Sequence, residues 1–331
     1  MIIIKICKLF FNKLFLIYSS NENFPLISQS IEKNKKDKGF DIDDENLKRE
    51  YEFLGEYIDN DKEHKNNLCE ENKKKNRYKD IRPYKYNRIK LDNIKDPNDN
   101  YINASPIHII EHNYFITTQG PKKETINDFW TMIIEQNCNV ILMLCREYEE
   151  KKVKCADYWN IKEIRIYENG QEKVKKVEII NENKQAIKDC TIREIKITNM
   201  ETKEDNIILQ INYEGWPDKG VPSIENGEVF NTFEKIIEEI DKKRKEIDKK
   251  RKDWPIVVHC SAGVGRTGTF ISMYYLEKEI KDQINQNKDK IEFNIFNLVR
   301  KIKEMRMHLV QVYEQYKFIY EFVKYLLNKY N

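Results

Sequence analysis

The sequence predicts an α/β fold: a single domain with a central twisted mixed β-sheet flanked by helices, preceded by an N-terminal arm. Three observations carry this expectation. Apolar strand-like runs alternate with helical patterns along most of the chain. No low-complexity break divides it near its midpoint. One buried-looking strand, "WPIVVHC" at 254–260, runs into a string of small residues and then into a helical pattern, so a tight loop joins a buried strand to a helix. With 331 residues the chain can bury a substantial core.

Taken in order, "MIIIKICKLFFNKLFLIY" opens the chain as its most apolar stretch, but Lys5, Lys8, Asn12 and Lys13 interrupt it well short of a membrane span. It also lacks a small-residue cleavage site. Its polar residues gather loosely on one side, which suits either a helix packed on the domain or a membrane-surface contact through residues 1–18. Residues 19–45 are polar and charged and read as a linker or arm, so the expected division is an arm at 1–45 and a folded domain at 46–331. From Leu47 a helix is expected, with apolar or aromatic positions at 47, 51, 54 and 58 and Asn46 as its N-cap. The charged insert "DKEHKNNLCEENKKKN" reads as a solvated loop.

"NYFITTQG" and "CNVILMLC" read as strands with the helix "KKETINDFWTMIIEQ" between them. "EIRIYENGQEKVKKVEII" is two alternating runs around Asn169-Gly170, a hairpin signal. Strands at "CTIREIKIT" and "NIILQINY" follow, then a long helix from about Ser223, the strand before Cys260, and three helical segments to the end. Residues 239–252, "EIDKKRKEIDKKRK", are a tandem seven-residue duplication that lengthens a helix while keeping Ile240 and Ile247 on one face.

Composition narrows the function classes. The 59 basic and 56 acidic residues nearly cancel to a net charge of +3, which makes no case for a nucleic-acid binder. The seven cysteines form no C-x-x-C pair and have no histidine at metal spacing, so a reducing, cytoplasmic setting and no structural zinc are expected.

The chemistry concentrates in "PIVVHCSAGVGRTGTF" at 255–270. Ser261, Ala262, Gly263, Val264 and Gly265 let the backbone curl tightly after Cys260. A curl that leaves as a helix starting near Arg266 turns successive N–H groups toward one point, where the helix N-terminus adds its positive end. A thiolate at the base of such a cradle is stabilised as a nucleophile. Arg266 offers planar paired donors suited to two phosphoryl oxygens.

"HCSAGVGRTG" resembles the phosphate-binding loop of the cysteine-dependent protein tyrosine phosphatases, of the tyrosine-specific class. The resemblance implies a phosphocysteine at Cys260, phosphoryl binding by Arg266, a hydroxyl at Thr267 that helps the thiolate leave, and a tuning role for His259. "YEGWPDKGVP" at 213–222 resembles the family's closing loop, with Asp218 as general acid and then general base, and Trp216 and Pro217 as hinge and lever. "KNRYKDIRPY" is similar to the loop that sets pocket depth: Tyr78 would stack on the substrate ring and Asp80 would bind the substrate backbone. "MRMHLVQVYEQYKF" resembles the loop that holds the attacking water, with Gln311 positioning it and Gln315 assisting. In "EEKKVKCADYW", Glu149 matches the acid that braces the phosphate-loop arginine and Lys154 the lysine that reaches the acid loop. "NYINAS", "TTQGP" and "DFW" match packing segments.

The resemblance spans roughly residues 47–328 and implies hydrolysis of phosphotyrosyl proteins with no metal or cofactor. Departures are Asn212 in place of a frequent histidine, Asn100 in place of aspartate, Lys79 in place of arginine, and His308 at a pocket-rim position where size controls access. The alternatives are a phosphotyrosine-binding pseudophosphatase and a dual-specificity or phosphoinositide phosphatase. The nucleophile, arginine and acid are all present against the first, and Tyr78 implies a pocket too deep for the second.

Overall fold

The computed structural model describes residues 29–32, 43–59, 70–96, 99–110, 113–168, 170–184, 186–217, 220–247, 254–288 and 290–330. The apolar run at 1–18, Asp218 and residues 248–252 of the duplication therefore lie outside the described residues.

An eight-stranded mixed sheet forms the centre, in the order β2-β3-β11-β4-β10-β9-β8-β7. The strands are β2 (Ala104–Ile110), β3 (Asn113–Thr118), β4 (Val140–Met143), β7 (Glu163–Glu168), β8 (Gln171–Asn183), β9 (Cys190–Asn199), β10 (Asp205–Tyr213) and β11 (Ile256–His259). β3, β11, β4 and β10 run parallel to one another, and antiparallel neighbours extend the sheet on both sides. β11 and β4 are buried at every position, as strands covered on both faces must be. The register pairs His259 with both Thr118 and Met143, so three parallel strands end together. The loops beyond the carboxyl ends of parallel strands are where α/β sheets carry ligands. Cys260, Gln119 and Leu144 all lie one residue past such an end.

Helices α3 (Ile126–Glu135), α4 (Glu228–Ile247), α5 (Gly265–Asn285), α6 (Ile295–Met305) and α7 (Tyr313–Tyr330) pack around the sheet. α5 is buried along most of its length, and Phe115 of β3 meets Tyr274 and Tyr275 of that helix edge-on. Among the described residues no helix is long and apolar enough to cross a membrane.

Four expectations need correction. The first helix, α1 (Asp44–Asp59), begins before Asn46, because Asp43 caps it: its Oδ1 accepts from the N–H groups of Glu45 at 3.0 Å and Asn46 at 3.4 Å. Leu47 and Leu54 are buried as the spacing requires, with Tyr51 half-buried between them. The insert before Arg77 is not all loop, since α2 (Glu70–Lys75) closes it, its last turn carrying three lysines at the helix's negative end. In the arm, β1 (Gln29–Glu32) pairs antiparallel with β12 (Lys290–Phe293). The long helix starts at Glu228 after a 3₁₀ turn at Glu225–Gly227, five residues later than Ser223 suggested. A further hairpin, β5 (Tyr148–Glu149) with β6 (Lys152–Val153), escaped the sequence reading.

The Asp43 cap is testable: Asp43→Ala is expected to lower stability by about 1 kcal/mol, seen as a lower urea midpoint with an unchanged slope.

Candidate active site

The chain leaves β11 at His259, curls through residues 260–264 and becomes α5 at Gly265. Gly263 has φ +70°, and a Cβ there would lie 2.0 Å from the carbonyl oxygen of Thr118. Only glycine fits. Its N–H donates to Cys260 Sγ at 3.3 Å, so one backbone dipole already points at the sulfur. The loop's carbonyls face outward and are met there: Ser261 by the N–H of Gly120 at 2.9 Å, Ala262 and Gly263 by Arg306 at 3.2 and 2.9 Å. The Val264 carbonyl receives the N–H of Gly268 at 2.8 Å, in the first turn of the helix.

Arg266 stands in that first turn and is gripped by Glu149 through two parallel bonds, Nη1 to Oε1 at 2.6 Å and Nη2 to Oε2 at 2.8 Å. The carbonyls of Leu144 and Pro217 take further bonds from the same guanidinium at 3.1 and 3.0 Å. Its plane is therefore fixed from three loops. The Pro217 contact joins it to the segment preceding Asp218, which itself lies outside the described residues. Trp216 is buried, donates Nε1–H to the Gly220 carbonyl at 3.2 Å and packs against Phe233 and Phe318. Lys154 Nζ lies 3.9 Å from Glu149 Oε2, on the brace of the arginine.

His259 is fully buried, and burial lowers its pKa to about 4, so it is neutral near pH 7. Its hydrogen bonds fix the tautomer. The Cys260 carbonyl can only accept, so Nδ1–H donates to it at 3.1 Å and Nε2 accepts from the hydroxyl of Tyr158 at 3.0 Å. Tyr158 in turn accepts from Gln210 at 2.9 Å, and Gln210 accepts from Arg193 at 3.1 Å. His259 thus acts on the backbone of Cys260 through a buried chain. Thr267 is also fully buried, with an Oγ1 that has no hydrogen-bond partner among the described residues.

Tyr78 comes to the same loop. Ser261 Oγ donates to the Lys154 carbonyl at 3.1 Å, so the Tyr78 hydroxyl, 2.9 Å away, is the donor to Ser261. Asp80 is exposed in the turn two residues on. Gln311 and Gln315 flank the start of α5: a Cβ on Gly265 would lie 2.8 Å from Gln315 Nε2 and 3.2 Å from Gln311 Cβ. Gln315 Oε1 accepts the N–H of Gln311 at 2.9 Å. His308, exposed, follows Met307, whose Sδ accepts from the N–H of Arg82. The structure therefore brings together every expected site residue except Asp218, which is not described, and Asp80, which stands apart in solvent.

Sequence reasoning missed Arg306, Arg77 and Tyr158. Arg306 reaches Asn103 and Ser105 as well as the loop carbonyls. Arg77 binds the carbonyls of Gly120, Pro121 and Val153 and so pins the Tyr78 loop to its neighbours. A single arginine among Met305, Met307, Leu309 and Val310 was the available signal for the first.

A family model described as protein-tyrosine phosphatase matches residues 72–325. The chain is 36% identical over 256 residues to tyrosine-protein phosphatase non-receptor type 20 of Rattus norvegicus, covering 76% of this chain and 54% of that protein. It is 36% identical over 263 residues to the human non-receptor type 12 enzyme, covering 78% and 31%. The chain thus spans about half the length of the first of these relatives and less of the second. A solved structure described as "PTPN18 in complex with HER2-pY1196 phosphor-peptides" superposes with a TM-score of 0.70 at 29% identity, covering 86% of this chain and 93% of that one.

Neutral burial of His259 has a pH signature. Its folded pKa, about 4, lies below the unfolded value, so its contribution is full above pH about 6.5 and is lost as pH falls toward 4. Between pH 7 and pH 4 the unaltered protein is expected to lose about 3 kcal/mol more than His259→Asn. Urea midpoints across that range check it, and parallel curves refute it.

Proposed function

Because the chain belongs to the protein-tyrosine phosphatase family, we propose that it hydrolyses phosphotyrosine in proteins through a phosphocysteine at Cys260. The observation that carries this reading is the arginine clamp: Arg266, oriented by Glu149 in the first turn of the helix that follows the Cys260 loop, would meet two phosphoryl oxygens with Nε–H and with the Nη2–H that the Pro217 carbonyl now holds.

In the first displacement Cys260 Sγ attacks phosphorus and forms the S–P bond. The P–O ester bond breaks, and its electron pair leaves on the phenolate oxygen, which takes the proton of Asp218. Phenolate is a poor leaving group unless protonated, so an acid is needed at this point. In the second displacement a water held by Gln311 attacks phosphorus and gives its proton to the Asp218 carboxylate. The S–P bond breaks, and its electron pair returns to sulfur. Thr267, with its free hydroxyl, is suited to receive that developing thiolate.

Tyr78 sets the substrate class. Its hydroxyl bonds to Ser261, which supports reading the ring as a wall of the pocket, one that a phosphoserine would be too short to pass to reach the sulfur. Asp80, exposed two residues after Tyr78, would accept hydrogen bonds from the N–H groups of a bound peptide. The relative solved with phosphopeptides is in keeping with this class.

Turnover of a phosphotyrosyl peptide tests the assignment. Cys260→Ser is expected to abolish phosphate release while retaining peptide binding, and Asp218→Ala to cut kcat by about 10²–10⁴-fold with little change in affinity. Full activity of Cys260→Ser would overturn the mechanism. Phosphothreonyl peptides and inositol lipids run in parallel test the pocket depth, and comparable rates on them would reject the tyrosine-specific assignment.

A further inference from the structure

The backbone leading into Gln311 is strained. His308 and Val310 both adopt left-handed φ angles, +58° and +57°. Such angles cost any residue with a Cβ, and a β-branched one most. Contacts must hold the turn against that cost. Arg306 anchors its start through Gly263 and Ala262, and Gln315 takes the N–H of Gln311 at its end.

Between these anchors the Val310 carbonyl is gripped by two side chains from outside the turn. Lys303, buried in the last turn of α6, donates to it from Nζ at 3.0 Å. Tyr51, on α1, donates from its hydroxyl at 3.3 Å. The Lys303 ammonium lies 5.6 Å from the centre of the Tyr51 ring, so each donor also holds the other. Tyr51 is in turn fixed by ring contacts with Tyr313 and Tyr316 of α7. Tyr51 also lies outside the segment that matches the family model, 72–325.

We propose that Lys303 and Tyr51 are positioning residues, which lock the Val310 carbonyl and so hold Gln311 where it can orient the water of the second displacement. Neither touches the reacting atoms. The inference rests on the reading of Gln311 given above. It predicts a selective effect, because water takes no part in forming the phosphocysteine. The value of kcat/KM reports only the steps up to release of the phenol, whereas kcat includes hydrolysis.

p-Nitrophenyl phosphate serves as the probe, in steady-state and stopped-flow measurements on the full chain. Lys303→Met keeps the length of the side chain and removes the charged donor, and it is expected to lower kcat about tenfold. Its kcat/KM should stay within about twofold of the unaltered chain, and the nitrophenol burst should rise toward one equivalent per enzyme. Tyr51→Phe removes a single oxygen and is expected to lower kcat about threefold with the same split. Equal falls in kcat and kcat/KM, or unchanged constants and burst in a folded variant, would overturn the positioning role and leave the phosphatase assignment standing. No nitrophenol release by the unaltered chain would overturn that assignment and this inference with it. If circular dichroism shows Lys303→Met unfolded, Tyr51→Phe decides by the same criteria.

Discussion

The fully buried Arg306 guanidinium holds the carbonyls of Ala262 and Gly263 from beneath, and the shape of the Cys260 loop depends on that contact. A loop that turns an amide inward to the sulfur turns carbonyls outward, and buried carbonyls must find donors. Arg306 meets two of them and braces itself on Asn103 and Ser105. Burial drives its pKa down to about 10, which still leaves it charged near neutral pH. Its four partners are neutral oxygens, and hydrogen bonds to a charged group, about 1.5–3 kcal/mol each, offset the desolvation. The result is a fixed positive charge against the Cys260 loop.

Arg266 solves a different problem. It too is buried, in the first turn of α5, but it takes a carboxylate as its brace. A buried ion pair of this kind adds little net stability, but loss of one partner strands the other, at about 3–5 kcal/mol. Its value is orientation: with Glu149 on one edge and the Leu144 and Pro217 carbonyls beside it, the guanidinium cannot rotate. Glu149 is delivered by the tight β5–β6 hairpin, whose two turn residues, Glu150 and Lys151, both have positive φ, the geometry that matches strand twist. The Pro217 backbone and the Cys260 loop are thereby coupled through one side chain.

The parts of the site legible in the sequence were those whose chemistry is local. Small residues between Cys260 and Arg266 force a curl whatever the rest of the chain does, and alternation around Asn169-Gly170 forces a hairpin. Arg306 and Arg77 could not be assigned that way, because their partners lie 43 or more and 42 or more positions away, and nothing local marks a carbonyl as needing a donor. Tyr158 was quoted only as part of a charged run, although its hydroxyl links Gln210 to His259. Boundaries failed for capping reasons: Asp43, inside an acidic run, outcompetes Asn46 as the cap, and lysines that suggested a solvated loop before Arg77 suit the end of a short helix. Pairing of Gln29–Glu32 with Lys290–Phe293 joins segments some 260 residues apart, a distance at which composition says nothing about contact.

Left-handed backbone falls in two kinds of place. Asn137, Asp189 and Asn287 are types whose short polar side chains tolerate the conformation, and with Lys203 they mark turns away from the Cys260 loop. Around that loop the same conformation falls on Glu150 and Lys151, whose hairpin turn requires it, and on His308 and the β-branched Val310, where it costs most. Each of these two turns carries a residue proposed for catalysis or its bracing, Glu149 in one case and Gln311 in the other. Strain of about 1–3 kcal/mol per residue persists only where surrounding contacts over-determine the backbone. Here those contacts reach well beyond the loop, to Lys303 on α6 and to Tyr51 on α1. The first helix is therefore part of what shapes the pocket, and a chain cut back to the matched segment would keep Cys260, Arg266 and Gln311 while losing one of the two donors that hold the Gln311 turn.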